Sequence, residues 1–157
     1  MSTVSSLVAQ FEFSTALRFF RKGMEMSERD RMILALKEAV QPYLRLVKFS
    51  GAFPHYRRIG NDRIDLVTFQ FDKNGGGFIM ETAQCSVDGI ITAWGAHIAP
   101  SKARAWDVHP DKRTRIQAKA GAGTDAWFRF DANPTSIVAQ DALNHLKAAF
   151  GRQEPPN

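Results

Sequence analysis

The sequence predicts an α+β domain, an antiparallel meander sheet of four to six strands covered by an early helix and a C-terminal helix. Three observations predict it. Residues 51–94 alternate bulky and polar side chains and are cut by Gly60-Asn61-Asp62, Asn74-Gly75-Gly76-Gly77 and Asp88-Gly89, the pattern of successive hairpins. Apolar residues recur at helical spacing before that stretch and again near the C-terminus, as expected of helices that bury one stripe on a sheet. Residues 95–130 between them follow no regular period and carry seven basic against three acidic residues, which reads as a long surface connection.

Taken in order, residues 1–26 read as an N-terminal extension, either loose or introduced by an upstream start, because Met24 or Met26 would serve equally well as a start. Arg18, Arg21 and Lys22 follow the apolar residues instead of preceding them, the reverse of a secretory signal. Residues 27–151 are expected to form one domain. Ser27 with Asp30 three residues on marks a helix start. Met32, Ile33, Leu36, Val40, Tyr43 and Val47 then supply the apolar stripe. Pro42 lacks an N–H and crowds the preceding turn, so a kink or a break is expected there. In the sheet, Phe53 to Ile59 is expected to pair with Arg63 to Phe71, with Val67, Phe69 and Phe71 turned toward the helices. Phe78 to Gln84 follows the glycine turn, and Ile90 to Trp94 comes next. Three consecutive glycines suit a phosphate loop only between a strand and a helix; here a strand follows, so they read as a turn. Ala120 to Thr124 reads as a flexible tip, and Trp127 to Phe130 as the closing strand. The last helix starts at Asn133-Pro134-Thr135-Ser136, buries Ile137, Leu143, Leu146, Ala149 and Phe150, and ends at Gly151. Residues 152–157 read as a disordered tail.

The chain has 157 residues, 44% of them hydrophobic and 24% charged, with a net charge of +5. That composition is ordinary for a globular protein. The single cysteine, Cys85, excludes an intramolecular disulfide and a cysteine-based metal cluster, and is consistent with a reducing compartment. No apolar run approaches the roughly 18 residues of a membrane span. Composition leaves the oligomeric state open.

The order of elements resembles the bacterial domain of unknown function 4304 family. The likeness rests on residues 51–85 (GAFPHYRRIGNDRIDLVTFQFDKNGGGFIMETAQC), on Trp94-Gly95, on Asp107-Val108-His109-Pro110 with Arg113, and on Trp127-Phe128-Arg129-Phe130. It spans roughly residues 30–150. The resemblance implies an α+β domain in a cytoplasmic bacterial protein. It implies no activity and no catalytic residue.

Chemistry-bearing residues are sparse. His55, His97, His109 and His145 form no ligand pair of recognisable spacing, so no metal or other cofactor is expected. Cys85 follows a strand with no glycine elbow or helix start to activate it, and reads as a structural thiol. The carboxylates Asp62, Asp65, Asp72, Glu81 and Asp88 are expected to pair with nearby arginines and lysines. Arg57 and Arg58 are adjacent on one strand and must point to opposite faces, so one of them must find an acid or the sheet rim. Trp94, Trp106 and Trp127 lie among arginines; aromatic residues with cations stack bases or anchor proteins, although burial over the end of the sheet is the reading favoured for Trp94 and Trp127. The candidate binding set is Arg57, Trp94, Arg104, Trp106, His109, Arg113 and Arg115. The function expected first is a non-catalytic protein-binding module using residues 94–129 and an exposed sheet face. An RNA- or DNA-binding domain using the same basic loop is the alternative, and a small enzyme with an unrecognised site comes third.

Overall fold

The computed structural model describes residues 25–119 and 126–151. The expectations for residues 1–24, for the tip at 120–124 and for the tail at 152–157 lie outside the described residues.

Helix α1 spans Glu28–Leu46. The Ser27 hydroxyl accepts from the Asp30 backbone N–H at 3.1 Å, so the cap expected from the sequence satisfies one of the free donors of the first turn. Pro42 sits inside a helix that runs on to Leu46 without a break. Pro42 and Glu38, whose carbonyl loses its partner there, are both exposed, so the missing bond falls on the solvent side of the helix. The buried residues of α1 are Met32, Leu36, Val40 and Leu44, with Tyr43 and Val47 packed alongside.

The main sheet has the order β1 (Ser50–Ala52), β2 (His55–Ile59), β3 (Ile64–Phe71), β4 (Gly77–Cys85), β7 (Arg113–Ile116), with β8 (Phe128–Arg129) also on β4. All pairings are antiparallel. A cis Phe53–Pro54 bond lies in the turn between β1 and β2. The glycine stretch is a hairpin turn, as expected. Gly76 has φ +75°, and a Cβ there would lie 2.5 Å from the Asp131 carboxylate, so only glycine fits. Arg129 reaches across this turn to Asp72 at 3.4 Å and to Asp131.

β7 and β8 share one edge of β4. Met80 faces Ile116 and Phe78 faces Phe128, and the Ala118 N–H donates to Ala126 O at 2.9 Å to close the excursion between them. The sheet's fifth position is thus one strand in two pieces. The opposite edge, β1, is only three residues long, and Arg45 of α1 donates to the carbonyls of Phe49 at 2.9 Å and Gly51 at 2.6 Å.

Helix α2 (Thr135–Phe150) packs beside α1 on one face of the sheet. Period-two alternation sends Tyr56, Val67, Phe69, Phe78, Met80 and Phe128 into the same core as Leu36, Val40, Leu143 and Leu146. Phe78 and Phe128 stack at 5.1 Å. Ile137 departs from expectation: it is 62% exposed while Val138 is buried, which shifts the buried stripe by one residue at the first turn. Gly151 does close the helix, its N–H donating to Lys147 O at 2.7 Å, but in a right-handed conformation.

The other face of the sheet is also covered, contrary to the exposed face expected. Ile64, Leu66 and Ala83 form a second core with Ile90, Ala103, Ala105 and Val108. Residues 99–112, read from the sequence as irregular, fold into three 3-10 turns at Pro100–Lys102, Ala105–Asp107 and Pro110–Lys112. Prolines open two of them, where a missing N–H costs nothing. Ala103 and Ala105 alternate inward around Arg104, and side chains this small let the loop lie flat on the strands.

Candidate functional site

Ile90 to Trp94 does not extend the meander. β5 (Ile90–Ile91) turns away and pairs with β6 (His97–Ile98) in a separate two-stranded sheet. The hairpin is well held. The Thr92 N–H donates to Ala96 O at 2.9 Å, and the Gly95 N–H to Thr92 O at 2.9 Å. The Ala96 N–H donates to the Thr92 hydroxyl at 3.0 Å, and His97 Nε2 lies 2.6 Å from Asp88 O. Gly95, with φ +83°, supplies the left-handed residue that the turn requires.

On this fixed hairpin Trp94 is 82% exposed and Ile91 74% exposed. Burial of Trp94 over the sheet, the reading favoured from the sequence, is thus overturned: the chain leaves the sheet at β5 and carries the indole outward. Trp127 is half-buried, against the start of α2. Beside Trp94 is a groove of about 600 Å³ lined by Ile91, Trp94, Ile98, Trp106, His109, Lys112 and Arg113, with Cys85 among its remaining wall residues. Trp106 is 40% exposed. Its inner edge meets His55 in a T-shaped contact at 4.9 Å.

The arginines do different work from that expected of a free basic loop. Arg57 donates from Nε to Ala103 O at 3.2 Å. Arg113 donates from Nε to Val108 O at 2.7 Å and from a terminal nitrogen to Trp106 O at 2.6 Å. These two residues clamp the loop to the sheet by its carbonyls. Arg104 pairs with Asp107, whose carboxylate also accepts the Arg104 N–H at 2.9 Å. Arg113 and Arg115 both reach buried Glu81 at 3.5 Å. Arg58, the neighbour of Arg57, turns to the helix face and pairs with Asp65 at 2.8 Å. That is the acid partner the strand geometry requires. Of the candidate set, Trp94, Trp106, His109 and Arg113 come together on the groove, whereas Arg57, Arg104 and Arg115 do not line it.

Protonation follows from these surroundings. Burial lowers the pKa of His55 from its usual 6.5, and Arg104 and Arg57 lower it further. Its Nδ1 lies 3.1 Å from the Thr68 hydroxyl. Burial raises the Cys85 thiol above its usual value, and the charges of Asp107 and Asp65 add to this. A thiol held protonated is a poor nucleophile. His97 and His109, the histidines nearest to Cys85 in sequence, are engaged locally, His97 with Asp88 O and His109 as the cap of the Pro110–Lys112 turn.

Sequence reasoning missed Ile91, Lys112 and the clamping role of Arg57 and Arg113. The period-two run Arg113-Thr-Arg-Ile116 was the available signal for β7. For Ile91 and Lys112 there was none, because exposure depends on where the hairpin leaves the sheet.

Fold and loop together define a small α+β domain that holds an aromatic surface on a clamped loop. The chain belongs to the domain of unknown function 4304 family, whose model matches residues 40–150. No curated protein and no solved structure matches it. Among the described residues, no helix is long and apolar enough to cross a membrane.

Proposed function

We propose that this domain is a non-catalytic protein-binding module whose recognition element is the loop between β4 and β7. The observation that carries the reading is the exposure of Trp94, with Ile91 beside it, on a hairpin whose backbone is already hydrogen-bonded. A large aromatic side chain held in water on a rigid support loses little conformational entropy on binding and gains the burial of its whole ring. Such side chains dominate protein interfaces. The lone thiol suits a reducing compartment, and the cytoplasm is the setting in which the module would act.

The nucleic-acid reading loses support from the same geometry. Phosphate binding needs cations free to release counterions, and Arg57, Arg104, Arg113 and Arg115 are engaged with carbonyls or carboxylates of the fold.

The test is affinity capture from source cells by the wild-type chain and by an Ile91→Ser/Trp94→Ser variant, with bound protein and nucleic acid both quantified. The variant should lose a partner protein that the wild type captures stoichiometrically, with its thermal midpoint within a few degrees of wild type. Equal capture by both would refute the proposal. Nuclease-sensitive material that is lost at several hundred millimolar salt, with no protein, would install the nucleic-acid reading instead.

A further inference from the structure

We infer that the groove beside Trp94 takes an acidic peptide segment: a bulky apolar side chain seated against Ile91, Trp94 and Trp106, with a neighbouring carboxylate on Lys112. The inference rests on the protein-binding reading of the same surface and specifies its partner.

The argument begins with the charges. Of the formally charged residues in the groove wall, Asp107 is neutralised by Arg104. Arg113 is held by the carbonyls of Trp106 and Val108 and by Glu81. Lys112 has no ion pair among the described residues, and it is exposed on the last residue of the Pro110–Lys112 turn. His109, three residues before it, is engaged locally: its Nδ1 accepts from the Asp111 N–H at 3.4 Å. Among the described residues, the groove therefore presents largely apolar walls and one uncommitted cation. A ligand that buried an apolar side chain but carried a positive charge would meet Lys112 unpaired. A ligand with a carboxylate would meet a partner.

The loop and β7 together bias encounter the same way. Between residues 86 and 119, Lys102, Arg104, Lys112, Arg113, Arg115 and Lys119 face three acids, Asp88, Asp107 and Asp111. An ion-paired arginine still contributes to the summed field, so this positive region steers an acidic chain toward the groove. It does not offer the row of free guanidinium groups that a nucleic-acid backbone would grip. The volume of about 600 Å³ fits one or two side chains of an extended segment and not a folded domain's surface.

The experiment uses the full chain and three synthetic twelve-residue peptides with a central Phe-Leu pair. The flanks are Glu and Asp in one, Gln and Ser in the second, and Lys in the third; a single-stranded oligonucleotide is the fourth probe. Affinity is read by calorimetry and by tryptophan fluorescence at low and physiological salt. The acidic peptide should bind at least tenfold more tightly than the neutral one, and the basic peptide more weakly than either. Trp94→Ser should weaken the acidic peptide tenfold or more. Lys112→Glu, a change at an exposed position, should abolish the preference for acidic over neutral flanks. Equal affinity for acidic and neutral peptides, binding of the oligonucleotide alone, or binding of no peptide overturns the inference. The capture experiment with Ile91→Ser/Trp94→Ser separately decides whether the surface binds protein, so the two failures are distinguishable.

Discussion

Replacing Asp65 by Asn tests how the sheet is joined to the helices. Arg58 and Asp65 have side-chain exposures of 3% and 1%, with contacts of 2.8 and 3.0 Å. The guanidinium also stands 4.9 Å from the Phe49 ring and 5.7 Å from the Phe150 ring. The other Asp65 oxygen accepts from Arg63 at 3.2 Å and from Gln84 at 2.9 Å. Asp65→Asn keeps the shape but leaves a cation buried without its counter-charge, a change that costs about 3–5 kcal/mol. In a chain of this size each kcal/mol moves the thermal midpoint by about 2–4 °C, so a fall of roughly 6–20 °C is expected. The double variant Arg58→Met/Asp65→Leu removes both buried charges and should recover most of the loss, since buried pairs are often replaceable by packing. Urea denaturation followed by circular dichroism measures both. A loss under about 1 kcal/mol in the single variant would mean that the pair behaves as a surface contact. A double variant as unstable as the single would show that the pair itself, and not the orphaned charge, sets the cost.

Three further expectations follow from the packing. His55 has a depressed pKa, so the folded state favours its neutral form; stability should be full above pH 6.5 and fall as pH drops below that value, and His55→Gln should flatten that part of a melting-temperature profile. Cys85 should react with a disulfide reagent at pH 8 far more slowly in the folded protein than in urea, and comparable rates would contradict the thiol's raised pKa and half-burial. In α2, Ile137→Ser should change stability by less than about 0.5 kcal/mol, whereas Leu146→Ala, at a fully buried position, should cost about 2–5 kcal/mol; similar losses for both would reject the observed phase of the helix.

The helix-facing half of the domain was legible because its signals are local and periodic. Val67, Phe69 and Phe71 alternate with smaller or polar residues, Ser27 has a cap's spacing, and Phe128 sits in an aromatic run; each landed where the pattern put it. Only the first turn of α2 departed from its pattern, with Val138 buried in place of Ile137 while Leu143, Leu146 and Phe150 landed as expected, because Ile137 and Val138 are equally apolar and a first turn has few constraints. The loop was illegible for another reason. Its placement depends on contacts between residues far apart in the chain, such as Arg57 to Ala103 and Glu81 to Arg113, and nothing in a stretch of alternating Ala and Arg announces them. Trp94 follows the same rule: its exposure is decided by β5 leaving the meander, which Asp88-Gly89 permits without specifying.

The guanidinium of Arg45 on the outer strand has a bearing on how any partner must approach. Many recognition domains lend a free strand to their ligand, which joins the sheet through main-chain hydrogen bonds and is read almost without regard to sequence. Here one border of the sheet is three residues long, with the carbonyl of its Gly51 and that of Phe49 just before it taken by Arg45, and the other is split into segments of four and two residues. Neither border offers a template on which a second chain can crystallise in register. The main sheet is poorly suited to that kind of promiscuity, and to the aggregation that accompanies it. Whatever is recognised there must be chosen by side chains.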